Sequence, residues 1–161
     1  QIAQGELTVE QALQKLECID KAKLTFPSWL QILFAALVSG CFTIMFGGLW
    51  YDFIPAFLTG GVGFCVMLIV NRIVEIRFVA DFVASFVIGI CAYVFIKTGY
   101  GMELDFIIIG SVMPLVPGLP ITNAVRDLLA GHLIAGVSRG VEALLTAFAI
   151  GAGIALCFAF V

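Results

Sequence analysis

The sequence predicts an all-α integral membrane protein, a five-span helical bundle whose fourth span is broken by prolines and which forms half of an inverted repeat. Three observations carry this. Hydrophobic residues make up 62% of the 161 and charged residues 12%, against about 25% charged in a soluble domain. Mean hydropathy is +1.15. The apolar residues fall into runs of roughly 20, the length that crosses ~30 Å of hydrocarbon, divided by short polar turns. The lipid bilayer is therefore the first partner. A net charge of −3, scattered along the chain, offers nucleic acid no basic face.

Residues 1–24 differ from the rest of the chain. Thr8-Val9-Glu10-Gln11 has capping-box spacing, and Ala12, Leu13, Leu16 and Ile19 recur at helical period. Lys15, Glu17, Asp20, Lys21 and Lys23 keep this helix in water, so 1–24 reads as the C-terminal end of a cytoplasmic soluble region and 25–161 as a transmembrane transport domain. Gln1 is not a start methionine and no basic n-region precedes the first apolar run. The chain thus reads as part of something longer, with no visible signal peptide.

The first span is expected over residues 29–50, with Pro27 before it and aromatic groups (Phe26 and Trp29, then Trp50, Tyr51 and Phe53) at the two interfacial belts. The second covers 55–70, where Gly60, Gly61 and Gly63 let a neighbouring helix approach closely. Asn71, Arg72, Glu75 and Arg77 form a polar turn, and the third span covers 78–96. Gly99-Tyr100-Gly101 reads as a turn. The fourth, 104–131, meets Pro114, Pro117, Gly118 and Pro120, and a continuous helix is not credible there because each proline removes a donor and clashes with the preceding turn. Thr122 or Asn123 is placed to cap a new helix, 124–130, ending at Gly131. The fifth span covers 137–160, with Ala143, Ala147, Gly151, Ala155 and Ala159 as its close-packing stripe.

Lysine and arginine in the short connections (Lys15, Lys21, Lys23; Arg72, Arg77; Arg139) put the N-terminus in the cytoplasm and the C-terminus outside, in a multi-pass cell-membrane protein. With an odd number of spans, a partner half of the same build enters with opposite topology, the inverted-repeat plan of many secondary transporters. Cys18, Cys41, Cys65, Cys91 and Cys157 stand alone, four of them in apolar runs, and read as small membrane-core residues rather than a disulfide or metal framework. No cofactor or metal is expected. With no HExxH, GxSxG or paired-cysteine spacing, no catalytic residue is assigned and the chain is not read as an enzyme.

Non-helical backbone at membrane depth is tolerated only when buried in protein or lining a wet cavity, so the 114–123 segment predicts a cavity. The helix beyond it points unpaired N–H groups and a partial positive charge back at the break. The candidate substrate-binding residues are Pro117, Gly118, Pro120, Thr122, Asn123, Arg126 and Asp127. Arg126 and the helix N-terminus would hold a carboxylate. Asp127, about 100° around the helix, could receive a substrate ammonium group, carry a proton, or pair with Arg126 across helices. Glu142 lies one turn after Arg139 and could pair with it. The proton-coupling candidates are Asp127, Glu142, His132 and Asp81, the last one turn into span three and equally readable as a helix N-terminal charge. If the second half-helix emerges at the cytoplasmic face, Arg126, Asp127, His132 and Arg139 are interfacial charges instead.

The run Pro114-Leu115-Val116-Pro117-Gly118-Leu119-Pro120-Ile121-Thr122-Asn123-Ala124-Val125-Arg126-Asp127-Leu128-Leu129-Ala130-Gly131, followed by Gly136, Arg139, Glu142 and Ala143, resembles the signature of the threonine/serine exporter family (the ThrE and YjjP–YjjB type). The five-span layout agrees, so the resemblance covers nearly the whole chain. It departs at position 132, where some members are acidic and this chain has His132. The resemblance implies proton-driven export of small polar solutes: threonine and serine in some members, succinate in split two-subunit members. It also implies a soluble region before the spans, and a second five-span subunit or fused half as partner. The sequence thus reads as an exporter of a small carboxylate-bearing solute, threonine or serine first, a dicarboxylate such as succinate second. The rival from another class is a non-transporting membrane scaffold, which gives no reason for a proline-broken span. Small-residue stripes on spans two and five also allow a homo-oligomer.

Overall fold

A computed structural model describes residues 26–74 and 76–160. The helix expected within residues 1–24 lies outside them. The described chain is helical: α1 (Ser28–Met45), a 3₁₀ turn (Trp50–Asp52), α2 (Phe53–Val74), α3 (Arg77–Lys97), α4 (Leu104–Val112) continued by a 3₁₀ turn (Met113–Leu115), α5 (Gly118–Leu129) and α6 (Leu133–Phe160). Four stretches are long and apolar enough to cross a membrane, namely α1, Trp50–Val74, Phe78–Lys97 and α6, and α4 with α5 would make a fifth, bent by 58°.

The first helix is shorter than expected. It stops at Met45 because Gly47 takes a left-handed conformation (φ 106°) and turns its N–H onto the Ile44 carbonyl, while the Gly48 N–H reaches the Thr43 carbonyl. That pair of bonds is the glycine stop of a helix, and Trp50, expected to end the span, falls in the 3₁₀ turn beyond it. At 1.5 Å per residue α1 is about 27 Å long and α2 about 33 Å. Helix α2 runs through Asn71 and Arg72 to Val74 and Arg77 opens α3, so these residues lie in helices rather than in the expected polar turn.

Helix α2 packs between α1 and α3, and α4 wedges against all three. The α2 glycines make these approaches possible, as their spacing predicts. A Cβ on Gly60 would collide with Ser39 of α1, and one on Gly63 with Ile88 of α3. Ala56, Ile88, Ile107, Val112 and Leu115 fill the resulting core. Hydroxyls bridge the helices: the Ser111 hydroxyl donates to the Ala56 carbonyl (3.2 Å), and Thr43 lies within bonding reach of the Phe106 carbonyl (3.3 Å). Such interhelical bonds contribute roughly 0.6 kcal/mol each in a membrane.

Helix α6 packs on α3 in its second half and on α5 in its first. Gly153 meets Ser85, and Cys157 meets Gly89 four residues further along both helices, so α3 and α6 run parallel. The buried side of α6 carries Ala143, Thr146, Ile150, Gly153 and Cys157. The expected stripe differs: Ala147, Gly151, Ala155 and Ala159 are exposed. A strict interval of four advances 40° around the helix at each step, whereas alternating threes and fours stay on one side.

Candidate functional site

Two turns of backbone chemistry shape the bend. Val116 is extended (φ −61°, ψ 127°), as the residue before Pro117 must be to avoid the proline ring. Helix α5 then starts at Gly118 with Pro120 in its first turn, where a missing N–H costs nothing. This corrects the expected cap. Thr122 sits inside the helix, its hydroxyl donating back to the Gly118 carbonyl (2.9 Å), and Asn123 follows it. Helix α5 ends as expected at Gly131 (φ 82°), with the His132 N–H on the Asp127 carbonyl (2.9 Å).

The earlier start changes the electrostatics. Pro120 has no N–H, and the Gly118 N–H turns back onto the Val116 carbonyl (2.8 Å). Leu119 is left as the free donor of that turn among the described hydrogen bonds. Arg126 lies seven residues beyond Leu119, about 10 Å along the axis.

The helix has two dissimilar sides, the most amphipathic arrangement among the described helices. Ala124 and Leu128 face Gly140 and Gly136 of α6; a Cβ on Gly136 would lie 2.7 Å from Leu128 Cγ. Thr122 and Arg126, four residues apart, share the opposite side with Leu119, and all three are exposed, as is Asn123. Arg126 makes no ion pair or hydrogen bond among the described residues. Gly118 is exposed, Pro120 half-buried and Pro117 buried. The expected cavity is therefore an open face in this chain. Two apolar grooves of about 420 and 410 Å³ lie on α2 and α3, sharing Leu58 and Phe95, and neither borders the bend.

Asp127 turns toward α6 and pairs with Arg139, whose Nη1 donates to Oδ2 at 2.6 Å. That replaces the two pairings expected from spacing, Asp127 with Arg126 and Arg139 with Glu142. His132 and Glu142 are exposed. Asp81 is buried, 2% exposed. The α3–α6 register sets it level with residue 149, ten residues or about 15 Å along α6 from Arg139. The bend thus gathers Thr122 and Arg126 on one side of α5 and turns Asp127 toward Arg139 of α6, with Asn123 one turn before Asp127, and leaves Asp81 apart. No group of three His, Cys, Asp or Glu side chains suited to a metal ion occurs among the described residues.

The spacing pattern missed Asp52, which is fully buried at the opposite end of the bundle. Its Oδ2 accepts the Leu49 N–H three residues back, but leucine is not a capping residue, so the spacing carried no signal for it.

All of the chain, residues 1–161, matches the family described as "Putative threonine/serine exporter". Among curated relatives, a "Probable succinate transporter subunit YjjP" of Klebsiella aerogenes is 28% identical over 137 residues, covering 83% of this chain and 52% of that protein. Its Escherichia coli K12 counterpart is 27% identical over the same shares. A "Pheromone-regulated membrane protein 10" of Candida albicans is 32% identical over 165 residues, 92% of this chain and 14% of its own length. The chain thus spans about half the length of the bacterial relatives it matches. No solved structure matches it. The chain belongs to the threonine/serine exporter family.

Proposed function

We propose that this member of the threonine/serine exporter family forms the first half of a proton-coupled secondary exporter of small carboxylate-bearing solutes, threonine and serine foremost. The observation that carries the reading is the exposed side of α5. An arginine with a carboxamide and a hydroxyl beside it is a poor neighbour for lipid and a good one for a carboxylate, which guanidinium binds in bidentate fashion. In this reading α4 and α5 cross together as one bent span. The twelve residues of α4 and its 3₁₀ turn contribute about 20 Å, and α5, inclined by 58°, adds about 10 Å in the same direction, matching ~30 Å of hydrocarbon. Residues 117–123 line the substrate path, and Arg126 clamps the carboxylate.

The path is closed on its open side by a second five-span half or subunit of opposite topology, or by another copy of this chain; the subunit wording in the bacterial relatives' names supports a partner. Asp127 receives a substrate ammonium group or carries the coupling proton, and either event competes with its bond to Arg139. His132, Glu142 and Asp81 remain further candidates for the proton. The N-terminus is cytoplasmic and the C-terminus outside, in the cell membrane. Succinate export is the second reading, favoured by the names of the YjjP relatives.

The test is solute flux from proteoliposomes holding the complete protein with its partner, with and without a pH gradient. Threonine or serine flux that the gradient accelerates supports the proposal, and gradient-driven succinate flux alone selects the second reading. No flux of any of the three above protein-free vesicles would reject both.

A further inference from the structure

The two grooves on α2 and α3 have no place in the exporter reading. Sharing Leu58 and Phe95, they form one continuous furrow along the outer side of this helix pair. Ile54, Leu58 and Val62, four residues apart on one side of α2, line it and are exposed. Its lower end closes where the helices come together, since a Cβ on Gly63 would collide with Ile88. At the upper end Trp50, Tyr51 and Tyr100, all exposed, form the mouth. The Tyr100 N–H returns to the Phe95 carbonyl (3.0 Å), which sets this mouth at the last turn of α3.

Trp50–Val74 and Phe78–Lys97 are both long and apolar enough to cross a membrane, so their outer side meets either hydrocarbon or another protein. From Ile54 to Val62 the furrow runs eight residues, about 12 Å. One leaflet of a ~30 Å hydrocarbon core is about 15 Å deep. Tryptophan and tyrosine settle at headgroup level, so the furrow begins there and stops near the middle of the bilayer. Its two compartments of about 420 and 410 Å³ have the capacity of small-molecule sites, ~300–1,000 Å³.

The walls favour a lipid tail over a partner helix. Helices that associate in membranes present small residues so that backbones can approach. Such residues are exposed on α6, at Ala147, Gly151, Ala155 and Ala159. The furrow instead presents branched and aromatic side chains, with Thr59 fully buried beneath them and Cys91 half-buried in the wall. The last turn of α3 also carries Lys97. Its ammonium lies 5.1 Å from the Tyr93 ring centroid and pairs with no carboxylate among the described residues. A lipid phosphate supplies the missing negative charge.

We infer that this furrow is a phospholipid site: one acyl chain of the leaflet at the Trp50 end lies along Ile54, Leu58 and Val62, with its phosphate beside Lys97. The site lies on α2 and α3, away from α5, and stands or falls independently of the exporter reading.

The experiment is native mass spectrometry of the full-length protein, stripped of lipid in detergent and then given dioleoyl phosphatidylglycerol. The parent should retain one lipid per chain. Leu58→Trp should lower the bound fraction at least about tenfold, because the indole takes the place of tail atoms and their dispersion contacts. Lys97→Gln should weaken retention as well. Ile134→Trp, at a position on α6 that is 90% exposed, should bind as the parent does. Cys91 gives a reading with the furrow unaltered: with the other cysteines replaced by alanine, the lipid should slow its reaction with N-ethylmaleimide. A parent that retains no lipid, a Leu58→Trp variant that retains as much as the parent, or a Cys91 equally reactive with and without lipid each overturns the site. A Cys91–Cys91 crosslink between copies overturns it too, and assigns the furrow to a second chain.

Discussion

Between Arg126 and Asp127 the α-helix turns by about 100°, and that rotation gives two adjacent charges different surroundings. Asp127 reaches α6 and Arg139, with side-chain exposures of 54% for Arg139 and 22% for Asp127, while Arg126 stays on the open side. An ion pair this exposed contributes about 0.2–1 kcal/mol. Arg139→Ala should therefore leave thermal stability in detergent nearly unchanged, while altering the pH dependence of export if Asp127 carries the proton. A large loss of stability with an unaltered pH profile would make the pair structural. Arg126→Ala should insert and assemble normally yet raise the solute concentration needed for half-maximal export by roughly ten- to a hundredfold, the weight of one charge-assisted bond. Near-normal kinetics in that variant would refute the carboxylate clamp.

At the scale of elements, glycines decide which helices can touch. Gly136 sits against Leu128, where a Cβ would lie 2.7 Å from Cγ and 2.9 Å from the backbone nitrogen, whereas Gly118 has nothing within 4 Å. Gly136→Val should push α5 off α6 at a cost of about 1–3 kcal/mol, read as a lower melting temperature in detergent. Gly118→Ala should melt within error of the parent. Equal behaviour of the two variants would mean that α5 does not rest on α6 as described. The start of α5 shows local rules in competition. Thr122 and Asn123 look like caps because of their residue type, but Pro120 is also content in a first turn. The helix therefore begins six residues earlier, at Gly118 rather than at residue 124, and its N-terminal donors move away from Arg126.

For the whole molecule, the question is parity. Four long apolar stretches are long enough to cross, and the bent pair makes the number odd. If α4 and α5 cross together, reporters fused at the two ends of the chain should lie on opposite sides of the membrane. If the pair returns to its own side as a re-entrant loop, they should lie on the same side. That result also bears on the partner, because an odd half needs an inverted mate. The exposed side of α5 and the exposed small residues Ala147, Gly151, Ala155 and Ala159 of α6 are the surfaces such a mate would cover.

Much of this was legible in the sequence, because the bilayer imposes a length and a polarity that can be counted along the chain. The long apolar helices, the glycines at their crossings and the stop at Gly131 all arise from local rules. What the sequence could not determine is which residues meet across helices. The partner of Asp127 turned out to be Arg139, twelve residues away in sequence on another helix, because a helical hairpin opposes side chains that no spacing rule relates. The buried side of α6 followed its contact with α3 rather than its smallest residues. Asp52 is buried because two loops 50 residues apart close over it. Span, length and turn are properties of a segment and can be read from it. Pairing and burial are properties of the packed bundle, and only the tertiary structure decided them.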